Sequence, residues 1–302
     1  MEKFVRSDLA LELNEDIKDD SLDNGIKIET KYRCGGKIKE TIITILNAKG
    51  EKLLGKPQGS YITIEGDELN ESDEDIHKDF SVSLADNLRQ LIGDCKKLLV
   101  IGLGNRHITP DALGPLVVDN LFITRHLISE GIITDSLELS AISPGVMAQT
   151  GIETYEMLSS LCNKIKPDLI IAIDALAARE PSRLGRTIQI CDTGISPGAG
   201  VGNNRAKLNY ETLGIKVIAI GVPTVISVPA IVNQAIEGMV NFFVSIPGHD
   251  KLELTEEEKY NLTCNFLDDK LCTMFVTPKN VDESVKRISY TISEAINSFF
   301  EL

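Results

Sequence analysis

The sequence predicts an α/β fold: a three-layer α/β/α arrangement around a mostly parallel, twisted sheet, with an N-terminal extension rich in β-hairpin. Three observations carry that reading. Four short apolar runs, Lys97–Gly102, Leu137–Ile142, Leu169–Ile173 and Val217–Val222, have the composition of fully buried strands. Helical patterns lie between and after them, over approximately Leu113–Ser129, Gly151–Lys164, Val228–Val244 and Val281–Phe300. Strand and helix in alternation build a parallel sheet covered on both faces. Upstream, the β-rich runs Ile26–Tyr32 and Lys37–Ala48 flank Cys34, Gly35 and Gly36, which is a hairpin signal, and Ser60–Ile64 reads as a third strand. This part, residues 26–66, is expected to extend one edge of the sheet or cap one end.

Taken in order, residues 1–25 hold eight acids and three bases with weak periodicity, so an exposed, loosely held arm is expected. The span Glu65–Asp75 has seven acids and no base, which reads as a solvated loop. Phe80, Leu84, Leu88, Leu91 and Ile92 then recur at helical spacing and lead into the first buried strand.

Composition narrows the function. The 302 residues carry 31 Lys+Arg against 45 Asp+Glu, a net charge of −14, which argues against nucleic acid and against an anionic membrane as partner. Trp is absent and aromatics are 5%, so no stacking surface for single strands is expected. With 42% hydrophobic residues, a chain of this length buries about 75% of its unfolded surface. No apolar run is long enough to span a bilayer and the N-terminus lacks a signal-like apolar stretch, so a cytoplasmic protein is expected. The six cysteines are dispersed, with no Cys-x-x-Cys pair, and read as reduced, small buried hydrophobes rather than a disulfide framework or zinc site.

In open α/β sheets chemistry gathers beyond the carboxyl ends of the strands. After the first core strand comes Gly102-Leu103-Gly104, but His107 stands where a dinucleotide fingerprint needs its third glycine. The same stretch offers Asp111 in Thr109-Pro110-Asp111, with Thr109 a candidate N-cap and Pro110 the first helical residue. Asp174 closes the run Leu169–Ile173. Buried at a strand end, a carboxylate needs a partner. Two such acids facing each other share a proton, giving one general acid and one general base able to activate water.

Glycine-containing loops at Ser143–Val146, Thr150-Gly151 and Ser196–Asn204 suit close approach of a peptide main chain or an anion. Arg179, Arg183, Arg186, Arg205 and Lys207 form a basic island in an acidic protein, suited to acidic substrates. Asn105, Thr109, Gly145, Thr150, Arg179, Arg183 and Arg205 are therefore the candidate substrate-binding residues. No serine-hydrolase elbow or His-Glu-x-x-His metal motif occurs. Two alternatives stay open: a metal-assisted peptidase with Asp111, Asp174 and His107 as ligands, and a nucleotide-binding regulatory module using the Gly102–Gly104 turn and the Ser196–Asn204 loop.

Several stretches resemble the germination proteases of endospore-forming bacteria: Arg6–Glu12, Gly102–Pro115, Ser143–Gly151, Ile173–Leu176 and Met274–Lys279. The resemblance implies an endopeptidase that degrades small acid-soluble spore proteins during germination, made as a self-processing zymogen and working as a homotetramer in the spore core. It implies an aspartic-type mechanism on Asp111 and Asp174 without a cofactor, and distant kinship with hydrogenase maturation endopeptidases, in which related positions bind metal. Family substrates are cut after an acid, with a hydrophobic residue and Ala following. Asp8-Leu9-Ala10-Leu11-Glu12 has that form. The implied cut is between Asp8 and Leu9, leaving propeptide 1–8 and a single peptidase domain, 9–302. Val5 stands where an upstream acid is usual, which implies slow self-cleavage.

Overall fold

The computed structural model describes residues 7–15, 25–70, 73–134, 136–201, 205–246 and 254–300. Helix α1 (Ala10–Glu15) precedes the hairpin β1 (Ile26–Arg33) and β2 (Ile38–Ile45), then α2 (Ala48–Leu54), β3 (Gly59–Glu65) and α3 (Glu74–Ile92). Next come β4 (Lys97–Gly102), α4 (Leu113–Asp119), α5 (Arg125–Ser129), β5 (Glu138–Ile142), α6 (Met147–Thr150), α7 (Thr154–Ile165) and β6 (Leu169–Ala178). The remainder is β7 (Thr187–Cys191), α8 (Tyr210–Leu213), β8 (Lys216–Ser227), α9 (Val228–Ser245), α10 (Glu256–Phe266), α11 (Asp269–Cys272), β9 (Phe275–Val276) and α12 (Val281–Asn297).

The nine strands among the described residues form one sheet in the order β1-β2-β3-β7-β8-β6-β4-β5, with β9 on β8. The expected strands pair in parallel: β5 with β4, β4 with β6, β6 with β8. They are one half of a mixed sheet. In the other half β1, β2, β3 and β7 run antiparallel to their neighbours and reach the parallel block through β7 and β8. The hairpin region therefore extends the sheet edge, and β7, a five-residue run that the sequence pattern does not announce, is the joint.

The period-2 alternation of strand side chains divides the core. Leu98 and Val100 of β4 pack with Phe80 and Leu84 of α3 and with Ile288 and Ile292 of α12. Leu99 and Ile101 point the other way, onto Leu158 and Cys162 of α7. Each such side chain contributes about 1.5–3 kcal/mol by leaving water.

Several expectations are corrected. The helix expected over Leu113–Ser129 is two helices: the Asn120 side chain donates back to Leu116 O (2.7 Å), and the Phe122 N–H goes to Asn297 Oδ1 (2.9 Å), so the helical ladder stops. The acidic arm is not loosely held where it is described: Leu9, Ala10, Leu11 and Glu12 are buried, because three apolar residues and one well-held acid outweigh the surrounding charge, and only at Glu15 is the described arm exposed. Residues 1–6 and 16–24 lie outside the described residues. Leu69 within the acidic block is also fully buried. Of the five cysteines whose side chains are described, Cys162 and Cys191 are buried, whereas Cys34 is exposed and Cys95 and Cys272 are half-buried. Among the described residues no helix is long and apolar enough to cross a membrane.

Candidate active site

Strand β4 ends with Gly102 in register with Ile173, while β6 and β8 run on beyond it. Asp174 is thus the first β6 residue past the β4 edge. It lies within a strand that continues to Ala178 rather than closing one, a correction that leaves it at the same edge. The chain leaving β4 folds back tightly. A Cβ at Gly102 would sit 2.2 Å from Gly114 O, and one at Gly104, at φ +110°, would sit 2.0 Å from Asp111 O. These glycines serve backbone packing, which removes the motif that favoured a nucleotide-binding module. Thr109–Asp111 forms a 3-10 turn whose N-cap is Ile108, so Thr109 is not the cap, and the helix proper begins at Leu113. The turn is pinned from β8, where the Thr224 hydroxyl donates to Pro110 O (2.7 Å). The Asn105 N–H donates to Asp111 Oδ2 (2.8 Å).

Asp111 and Asp174 line one cavity of about 590 Å³, together with Asp8, Gln189 and Gly200. Burial holds the Asp111 carboxyl above the usual range, and the Asn105 N–H partly offsets it. Asp174 is pushed well above that range by burial, then by the charges of Asp111 and Asp8; the Ala175 N–H is a smaller opposing effect. Both carboxyls are thus raised, Asp174 the further and the more buried of the two, which favours the proton on Asp174. The pair is suited to hold one hydrogen.

Asp8 lines this cavity, and residues 9–12 run on from it. The Asp8 N–H donates to Ala177 O (3.1 Å), and Asp8 Oδ2 accepts from the Ala177 N–H (2.9 Å). Burial raises the Asp8 carboxyl too, against the Ala177 hydrogen bond and Lys56. Gly200 makes room for it: a Cβ there would lie 2.0 Å from Asp8 Oδ2. Leu9 fills a pocket of Leu176, Ala178, Leu184, Ile226 and Ala230, and Ala10 packs on Tyr61, Cys191 and Ala219. The Glu12 carboxylate accepts the Arg179 N–H (2.8 Å), the Glu180 N–H (2.9 Å) and the Ser7 hydroxyl. Arg179 Nη2 donates to Glu12 O (2.9 Å), and Arg183 pairs with Glu12, with Glu15 (2.6 Å) and with Glu65.

The remaining candidates divide. Asn105 touches Asp111 through its main chain, and its side chain accepts from the Gln149 amide (2.9 Å). Gly145, at φ +74° in the loop after β5, and Thr150, the last residue of α6, whose hydroxyl bonds Ile152, do not line the cavity. Arg205 pairs with Glu153 (3.4 Å), away from the cavity. Thr109 carries the Asp111 turn without lining the cavity. His107 is exposed and outside it, so the triad Asp111, Asp174 and His107 is not assembled, and no group of three His, Cys, Asp or Glu among the described residues is placed for a metal. The Ser196–Asn204 loop does face the cavity, through Ser196, Gly198, Ala199 and Gly200, while 202–204 lie outside the described residues. Gln189 and Thr224, which line the cavity, and Glu12, which is held beside it by Arg179 and Glu180, are candidates that the sequence reading missed. Only Glu12 left a trace there, as part of the cleavage-site pattern.

A sequence family described as Germination protease matches residues 6–248. A germination protease of Clostridium tetani is 43% identical over 308 residues, covering 97% of this chain and 94% of the relative. One from Caldanaerobacter subterraneus is 43% identical, with coverage of 97% and 93%, and one from Bacillus velezensis 35%, with 98% and 93%. Among solved structures, the NiFe hydrogenase maturation protease HycI of Thermococcus kodakarensis aligns with 70% of this chain and 98% of its own at 16% identity and a TM-score of 0.35, a likeness too loose to bear on the chemistry. With matches of this length on both sides, the chain belongs to the germination protease family and is a peptidase.

Proposed function

We propose that this peptidase opens small acid-soluble spore proteins during germination, cutting after an acid that is followed by a hydrophobic residue and Ala. The observation that carries the reading is that Asp8 lines the cavity that holds Asp111 and Asp174, while Leu9 packs on Leu176 and Ala10 on Tyr61, Cys191 and Ala219 of the same lining. An acid, a large apolar side chain and a small one each have a matching pocket. The same placement explains a zymogen: the chain's own segment occupies the groove until the Asp8–Leu9 bond is cut and 1–8 is released.

In the mechanism, ionised Asp111 takes a proton from a water as its oxygen adds to the carbonyl carbon. Protonated Asp174 gives its hydrogen to the leaving nitrogen as the C–N bond breaks. No cofactor enters this scheme; chelator-resistant activity is expected, and loss on chelation with rescue by one defined metal favours the metal-assisted alternative. Arg179 and Arg183 hold an acid placed as Glu12 is. A homotetramer in the spore core is part of the reading, and the exposed Met239, Phe242 and Phe243 of α9 offer an apolar contact face; sedimentation at the mass of a monomer rejects it.

The test is to let purified protein mature, sequence its new N-terminus, and then add a small acid-soluble spore protein and map the cuts by mass spectrometry. Leu9 as the first residue, and cuts after acids, are expected. A different N-terminus, or an intact spore protein, removes the reading.

A further inference from the structure

Three neighbouring strands place three residues in one row. Asp174 of β6 is in register with Gly221 of β8, and Gly221 with Gln189 of β7. Residues in register present their side chains on one face of a sheet, and strands lie about 4.8 Å apart. An acid and an amide therefore flank a glycine. A Cβ at Gly221 would meet the Leu176 side chain at 2.4 Å, so the middle of the row has no side chain of its own and Leu176 lies over it. The main chain of residues 8–10 is held beside this row, and its partner there is Gln189. Gln189 Nε2 donates to Asp8 O (3.2 Å), and Gln189 Oε1 accepts from the Ala10 N–H (2.7 Å). Gln189 is 7% exposed, in a strand whose alternate residues Ile188 and Ile190 are in the core. A buried primary amide is costly unless its hydrogen bonds are made, and here the peptide segment makes one at each end.

We infer that Gln189 is a further catalytic residue of this peptidase, whose side-chain amide stabilises the carbonyl oxygen of the bond being cut while gripping the N–H two residues downstream. The inference rests on the reading of Asp8–Leu9 as the scissile bond. If that is the bond, Asp8 O is the oxygen on which negative charge develops. When water oxygen bonds to the carbonyl carbon, its proton passes to Asp111, the C=O electron pair moves onto that oxygen, and Gln189 Nε2–H faces it. As the tetrahedral state collapses, the C–N bond breaks and Asp174 protonates the nitrogen. Water is the only co-reactant. The Nε2–O contact of 3.2 Å is long for a neutral carbonyl and is expected to tighten as the oxygen becomes anionic. Oε1 and Nε2 belong to one planar group, so the acceptor bond to Ala10 aims the donor.

The experiment is a cycle between enzyme and substrate. Matured wild-type protein and Gln189→Met, close in length and apolar, are each given two peptides with the sequence of residues 7–12 and flanking residues. One is all-amide; the other has an ester in place of the amide whose N–H corresponds to that of Ala10. Cleavage at the Asp–Leu bond is followed by mass spectrometry. Gln189→Met is expected to lower kcat about 10²- to 10³-fold with little change in KM, as loss of an oxyanion donor does. The ester is expected to lower kcat/KM about 2- to 10-fold in wild type and not in the variant, because the lost hydrogen bond has the same two ends. Near-wild-type kcat in Gln189→Met, or an equal ester penalty in both proteins, overturns the inference while the cleavage site stands. If wild type leaves the all-amide peptide whole, or cuts it at another bond, the cleavage reading falls and this one with it. Should Gln189→Met fail to give a wild-type circular-dichroism spectrum, Gln189→Leu takes its place in the same cycle.

Discussion

The two halves of the sheet divide the site between them. The parallel half, β5-β4-β6-β8, supplies the carboxyls: β4 stops at Gly102, and Asp174 and the turn bearing Asp111 flank the resulting edge. The antiparallel half supplies the grip, since Gln189 of β7 holds the main chain and Tyr61 of β3 backs Ala10. The first half stores charge that is expensive to bury, whereas the second offers neutral hydrogen bonds and shape. Substitutions of the acids in the first should therefore abolish chemistry; in the second, loss of the Gln189 amide should lower kcat, while changes to the residues around it should alter how well, and where, a peptide sits.

The largest effects are expected from the acids. Asp111→Asn and Asp174→Asn should each lower kcat/KM by about 10⁴-fold or more, with the double variant little worse than either, because the two residues act as one unit. Additive losses in the double variant separate their roles. Asp174→Asn should at the same time stabilise the fold at neutral pH. Its carboxyl has a folded-state pKa raised above the usual 3.8, so the folded state binds the extra proton. Stability then falls as pH rises from about 3.8 through the raised value, and the amide is spared that cost. Thermal melts at pH 3 and pH 8 check it. The gain in Tm should appear at pH 8 and vanish at pH 3, opposite to what loss of a structural hydrogen bond gives.

The same division explains what the sequence made legible. The acids could be found because Leu169–Ile173 and Lys97–Gly102 are apolar runs whose ends are visible, and a charge after such a run stands out. Gln189 could not. It sits in Thr187-Ile188-Gln189-Ile190-Cys191, where alternation reads equally well as a surface polar residue on a half-exposed strand, and its neighbours in register are Gly221, 32 positions on, and Thr63, 126 positions back, with Asp174 reached through Gly221. Residues 7–15 were illegible for a related reason. Their acids suggest a solvated arm, and Glu12 is buried only because the N–H groups of Arg179 and Glu180 await it. Register and long-range pairing lie outside what a periodicity within ten residues reports.

A smaller effect tests the grip at its far end. The Glu12 carboxylate is held by two main-chain N–H groups and by Arg183, and charge-assisted hydrogen bonds of this kind are worth about 1.5–3 kcal/mol. A peptide carrying Gln in place of the acid four residues beyond the cut should show KM raised about tenfold with kcat held. Arg183→Ala should raise KM for the acidic peptide and leave the Gln peptide nearly unchanged. An equal loss on both peptides makes Arg183 a brace for Glu15 and Glu65 instead.

The smallest expected effect sits where the two halves meet. Thr224 lies near the end of β8, which pairs with β7 on one side and β6 on the other, and its hydroxyl is the tie to Pro110 O in the turn that carries Asp111. Thr224→Val keeps shape and burial but leaves the Pro110 carbonyl without that donor. A net loss of about 0.5–1.5 kcal/mol is expected, equivalent to about a 2- to 12-fold change. Because the tie acts on the position of an acid and not on the peptide groove, the loss should fall on kcat and spare KM. Thr224→Ser, which restores the hydroxyl, should recover most of it. A fall confined to KM would instead place Thr224 with the gripping half, and the boundary between chemistry and binding would then run through the Asp111 turn rather than along β8.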